Sequence, residues 1–146
     1  MPRKTSPATN RVTQHFVEPP RQQRLFTPQQ ANQTLPLVRR IVDDLRHEHA
    51  AAKKLHDELC TVPLMDRGQR RRIGRQLTRS VRKLELFVEE IRSIGADVVD
   101  YRTATVEFAA RIDDRPVVLS WRPGEERVDH WRELTAEDQR LPLATV

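Results

Sequence analysis

Four glycines, one cysteine, one tyrosine and no long apolar run in 146 residues leave several classes of function without material. A single cysteine, Cys60, excludes an internal disulfide and suits a reducing compartment. Gly68 and Gly74 flank a cluster of arginines, yet their spacing fits no phosphate-cradling loop. No stretch approaches the ~20 consecutive apolar residues of a membrane span. The segment Met1-Pro2-Arg3-Lys4-Thr5-Ser6-Pro7 has no apolar core that would make it a signal peptide. A cytoplasmic protein without a membrane partner is expected.

What is present is a chain of one-domain length, 37% hydrophobic and 32% charged, so burial must be concentrated in a few well-patterned segments. The net charge of +5 is unevenly placed. Residues 1–24 carry +4 and residues 66–83 carry +7, which leaves the rest of the chain at −6. An acidic body therefore bears two basic attachments.

Residues 1–24 hold Pro2, Pro7, Pro19 and Pro20 among polar and basic residues and lack apolar periodicity, which predicts a disordered or extended arm. Residues 25–146 are expected to form one α+β domain. It opens at Phe26-Thr27-Pro28-Gln29-Gln30, where Thr27 and Gln30 can cap each other, Pro28 presets the first turn and Phe26 takes the staple position. Pro36 would interrupt a continuing helix, which predicts a short helix at about 28–33 and a long one at about 35–60. Leu37, Val38, Ile41, Val42, Leu45, Ala52, Leu55 and Leu59 give the long helix an apolar stripe of helical period. Ile73, Leu77, Val81, Leu84, Val88, Ile91 and Ile94 repeat that stripe over about 67–94, and Gly95 occupies the C′ position. Two helices of matched length, about 39 Å each at 1.5 Å per residue, with a short connection, make an antiparallel hairpin. Beyond Gly95 the period becomes alternating. Strands are expected at about 105–112, 116–122 and 127–134, with turns at Asp113-Asp114 and Pro123-Gly124-Glu125-Glu126 and a docked coil at Leu141-Pro142-Leu143. The fold class is thus α+β: a long antiparallel helix hairpin preceded by a short helix and packed with a small antiparallel three-stranded β-meander.

Phe26-Thr27-Pro28, Ala31-Asn32 and Leu35-Pro36-Leu37-Val38 at the front, with Val106-Glu107-Phe108, Trp121-Arg122, Gly124-Glu125, Trp131 and Leu141-Pro142-Leu143 at the back, are the pieces of a family pattern. On these residues the segment Leu25–Leu143 resembles a bacterial family catalogued as domain of unknown function 2203. The resemblance implies boundaries and fold, and no activity, since the family has no established one. Ser120-Trp121-Arg122 stands where that family usually reads Cys-Trp-Arg, and Trp131-Arg132 where it usually reads Trp-His.

Three constellations carry chemistry. If Val106, Phe108, Leu119 and Trp121 point inward, Glu107, Ser120 and Arg122 share the outer face, with His130 or Arg132 joining from the third strand and Glu125 from the adjacent turn. A small anionic ligand could be held there by Arg122, with Glu107 or His130 as acid or base; the plainer reading is a cross-strand Glu107–Arg122 ion pair on a solvated face. His49 and His56 lie at the edge of the long helix's apolar seam, and His56 and Cys60 have an i, i+4 spacing that can chelate a metal, but two ligands are not a site. Seam-edge histidines satisfied by hydrogen bonds are the simpler account, so no metal, cofactor or catalytic residue is assigned. Arg67, Arg71, Arg75, Arg79 and Lys83 repeat every four residues and form one basic row. Its partner is either a polyanion such as nucleic acid or the acidic residues of the facing helix, Asp57 and Glu58 foremost. No aromatic interleaves the row for base stacking, so nucleic acid is the less favoured partner. The leading expectation is a non-enzymatic, self-associating interaction protein, a homo-oligomer formed through a helical seam too long for a small sheet to cover.

Overall fold

Thr27 caps a helix that does not stop at Pro36. In the computed structural model, which describes residues 24–136 and 139–145, one helix runs unbroken over Pro28–Thr61 (α1). The reciprocal cap is formed as the sequence predicts: Gln30 N–H donates to Thr27 Oγ1 and Thr27 N–H donates to Gln30 Oε1, each at 3.1 Å. The expected break between a short and a long helix is therefore corrected. Pro36 forfeits one backbone bond, but Ala31, Leu35, Val38, Val42 and Leu45 form a single buried stripe across it, and that burial outweighs the loss. Pro36 itself lies on the exposed side.

The second helix, Arg67–Ile94 (α2), begins at Asp66, whose side chain accepts from Gln69 N–H, and ends at Gly95. Gly95 has φ 104°, and a Cβ there would come within 3.2 Å of both Arg24 and Phe26, so glycine is required twice over. The helices run antiparallel: Arg70 donates to the Leu59 and Val62 carbonyls, and Ser80 Oγ donates to the Glu48 carboxylate thirty-two positions back. Arg70 thereby satisfies carbonyls left open at the end of α1.

After Gly95 the chain forms an antiparallel meander of five strands, not the expected three. They are Ala96–Asp100 (β1), Thr105–Ile112 (β2), Arg115–Trp121 (β3), His130–Glu133 (β4) and Leu141–Pro142 (β5), in that spatial order. Asp113 and Asp114 make the β2–β3 turn with φ of 49° and 61°, the doubly left-handed hairpin turn that aspartate tolerates. Gly124 follows at the second expected turn with φ 98°. The tail read as a docked coil pairs instead as a two-residue edge strand, Trp131 with Leu141 and His130 with Pro142, and proline suits an edge. It ends in a short 3₁₀ turn over Leu143–Thr145. Of the arm at 1–24, only Arg24 lies within the described residues; its guanidinium rests 4.5 Å from the Phe26 ring centre and donates to the Ile94 carbonyl.

One face of the sheet packs on the helices as the alternation predicts. Val106, Phe108, Ala110, Val117, Leu119 and Trp121 join Leu35, Val38, Val42, Leu45, Val88 and Ile91 in one core. Phe26 meets Phe108 edge-on at 5.1 Å and bonds through its N–H to the Ala109 carbonyl, pinning the start of α1 to β2. The long seam is shared between two covers. The sheet takes the half nearest the termini of the hairpin, and farther out the helices bury Ala52, Val62, Ile73 and Ser80 against each other. Leu37, expected in the stripe, is exposed.

Candidate functional site

The other face of the sheet carries the polar chemistry. Antiparallel register sets Glu107 opposite Ser120 and Ser120 opposite His130, so the three form one row across β2, β3 and β4. The same register puts Val106 opposite Trp121. The next step outward therefore brings Arg122 beside Thr105, not Glu107, and Arg122 Nε donates to Thr105 Oγ1 at 3.1 Å. The expected Glu107–Arg122 pair is thus replaced. Glu107 is held by Arg132, which reaches diagonally over β3 to make a two-point contact of 2.5 and 2.8 Å between side chains 11% and 13% exposed. A buried, bidentate guanidinium–carboxylate contact is among the strongest polar pairings a protein makes.

Ser120, expected to face solvent, is 1% exposed. The cover is Arg140, whose Nε donates to Ser120 Oγ at 2.9 Å while Nη2 donates to the Ser120 carbonyl and to Glu125 Oε1. Arg140 was not singled out from the sequence, since it stands twenty positions from Ser120 in a segment without periodicity. Glu125 Oε1 also accepts from the Arg122 N–H at 2.7 Å, and the Glu125 carbonyl accepts from Trp121 Nε1 at 3.0 Å. From the helical side, Asn32 clamps both backbone groups of Val128, and Arg39 donates to the carbonyls of Glu125 and Glu126. The β3–β4 connection is therefore fixed from both layers.

Val99, Asp100, Thr105, Glu107, Ser120, Arg122, Arg132 and Arg140 line a cavity of about 400 Å³, within the ~300–1,000 Å³ of small-molecule sites. Three arginines against two carboxylates give its lining a net charge of +1. Asp100 stays ionised at its rim, because the backbone N–H groups of Thr103 and Arg102 hold its carboxyl below the usual range. Arg122, an exposed residue of this lining, spends its Nε and backbone N–H on the protein, and its terminal guanidinium nitrogens have no partner among the described residues. Residues 24–140 match a family model described as an uncharacterized conserved protein, DUF2203. The chain belongs to this family. No curated protein and no solved structure matches it.

Of the sequence candidates, this DUF2203 fold brings Glu107, Arg122, Glu125, His130 and Arg132 to one sheet face, and adds Arg140. His130 Nδ1 lies 2.7 Å from Glu125 Oε2 and 2.6 Å from Asp129 Oδ1, the latter a residue the sequence reading passed over. The histidines of α1 are elsewhere. His49 stacks on Tyr101 at 6.3 Å, whereas His56 and Cys60 are exposed and His56 has only Asp57 beside it, at 3.6 Å. No third ligand joins them among the described residues. Arg67, Arg71, Arg75 and Arg79 lie exposed along α2, and none pairs with Asp57, Glu58 or any other carboxylate among the described residues; Lys83 alone approaches one, Glu48, at 4.0 Å. Among the described residues, no helix is long and apolar enough to cross a membrane.

Proposed function

We propose that the outer face of the sheet binds a small carboxylate- or phosphate-bearing molecule, with Arg122 as the anchoring group. The observation that carries this is the unspent guanidinium fork of Arg122 beside a positively charged cavity whose other arginines are already engaged. Arg132 and Arg140 are held by Glu107, Ser120 and Glu125 and contribute field and shape, while Arg122 offers two parallel donors of the geometry a carboxylate or phosphate accepts. The wall presents no nucleophile beside a free base. Ser120 Oγ is covered by Arg140 and Glu107 is tied up by Arg132, so binding, not bond breaking, is the activity assigned. Calorimetric titration with a panel of small di- and tricarboxylates and phosphate esters tests this. At least one saturates the wild type, and Arg122→Ala lowers its affinity by roughly tenfold or more, the ~1.5–3 kcal/mol of a hydrogen bond to a charged group. A panel that fails to bind at millimolar concentration, or that binds Arg122→Ala equally well, disposes of the reading.

A second reading rests on the unpaired row Arg67, Arg71, Arg75 and Arg79. Like charges at i, i+4 oppose the helix by about 0.2–0.5 kcal/mol per pair, a cost that an external polyanion relieves. Arg71→Glu with Arg75→Glu then weakens binding to duplex DNA or RNA and flattens its salt dependence by about two in log–log slope. If neither duplex binds at low salt, the row is a solvated face. Self-association through the seam has less to rest on, since sheet and facing helix between them cover much of it.

A further inference from the structure

Among the described residues, three side-chain atoms are buried and hydrogen-bond to nothing: Glu125 Oε2, His130 Nδ1 and Trp131 Nε1. The first two lie 2.7 Å apart, and Asp129 Oδ1 stands 2.6 Å from the same Nδ1. Two carboxylate oxygens and a ring nitrogen thus crowd together, all three within 4.8 Å of one another. Lone pairs at that separation repel unless a positive charge lies between them, and burial of two of the atoms removes water as the remedy. A proton on Nδ1 is directed in the ring plane and serves one oxygen well. A cation serves all three.

We propose that Glu125 Oε2, Asp129 Oδ1 and His130 Nδ1 are the protein ligands of a divalent transition-metal site. The donors are held in place by contacts that do not involve the site. Glu125 Oε1 is taken by the Arg122 N–H and by Arg140, which fixes where Oε2 points. Trp121 Nε1 holds the Glu125 carbonyl, Asn32 clamps Val128, and the Asp129 carbonyl accepts from Leu143 N–H at 2.7 Å. His130 is the first residue of β4 and shares the strand's register. One imidazole with two carboxylates is a borderline donor set. It suits Mn²⁺, Fe²⁺, Co²⁺ or Zn²⁺ over Ca²⁺, which takes oxygen alone, and over Cu⁺, which selects thiolate or thioether. Three protein ligands leave coordination positions for water or for a ligand atom. The site does not depend on the anion-binding proposal, although Glu125 borders both.

The test is calorimetric titration of the chelator-treated full chain with Mn²⁺ and with Zn²⁺, alongside the visible spectrum of the Co²⁺ form. Wild type takes up one equivalent with a Co²⁺ band in the range of nitrogen and oxygen ligation. His130→Ala and Asp129→Asn each weaken uptake by roughly 100-fold, at or above the tenfold to hundredfold that supporting residues of metal sites cost. Asp129 is half exposed, so Asp129→Asn tests ligation without disturbing the fold. Arg122→Ala, outside the donor set, keeps wild-type metal affinity, which separates failure of this site from failure of the anion site. Absence of uptake at millimolar metal, or uptake unchanged in both His130→Ala and Asp129→Asn, overturns the proposal and leaves an imidazolium between two carboxylates.

Discussion

Trp121→Ala lowers the stability of the chain by about 4 kcal/mol, read as the shift of a urea midpoint at unchanged slope. The indole is 2% exposed on the inner face of β3, among the largest buried side chains. Its removal leaves a cavity between sheet and hairpin that the surrounding strands can close only in part. The loss has a second component. Trp121 Nε1 donates to the Glu125 carbonyl, so the side chain that fills the core also sets the turn from which Glu125 reaches the outer face. Trp121→Phe separates the two: it keeps most of the volume, costs about 1–2 kcal/mol, and loosens the turn. Val99→Ala, at a residue 51% exposed, stays within about 0.5 kcal/mol of wild type. A Trp121→Ala midpoint close to that of Val99→Ala would place the core elsewhere.

Arg132→Met costs about 3 kcal/mol, because it strands the Glu107 carboxylate where only 11% of its side chain meets solvent. Arg132→Met combined with Glu107→Leu recovers most of that loss, since a buried ion pair contributes little beyond an apolar pair of similar volume. The double-mutant cycle therefore gives a large coupling energy from a pair whose joint removal is nearly neutral. Additive single losses would mean that the two side chains do not meet. Glu107, Ser120 and Glu125 thus engage two of the three arginines of the polar face, and Arg122 keeps its terminal nitrogens outside those contacts.

The parts of this fold that were legible in the sequence are those set within a few residues. The Thr27–Gln30 cap, the end of α2 at Gly95, and the Asp113-Asp114 and Gly124 turns depend on local backbone chemistry, and each stands where its residues imply. Pro36 misleads because its local penalty is real but smaller than the burial of Leu35 and Val38 on either side. β1 escapes notice because Ala-Asp-Val-Val-Asp is short and ends in residues strands avoid; its place depends on pairing with β2. β5 is two residues long and exists only against β4. The candidate site divides the same way. Glu107, Arg122, Glu125 and His130 share a face because alternation is a local property. The partners they choose are not local. Arg132 crosses a whole strand to Glu107, and Arg140 returns over Ser120 from the far edge. Of the two partners the sequence left open for the basic row, the acidic residues of the facing helix approach it only at Lys83. Asp57 and Glu58 lie near Arg67 and Arg71 in the hairpin's sequence, but all four are exposed and form no ion pair with one another.

On the proposed function, the sheet face meets a small anion through Arg122. NMR of the arginine Nε–Hε groups, recorded while the best anion of the panel is added, addresses it most directly. The Arg122 signal is expected to move first and saturate, Arg140 and Arg132 to follow with smaller shifts, and the α2 row Arg67, Arg71, Arg75 and Arg79 to stay still. Shifts confined to that row, with Arg122 unmoved at saturation, would contradict it.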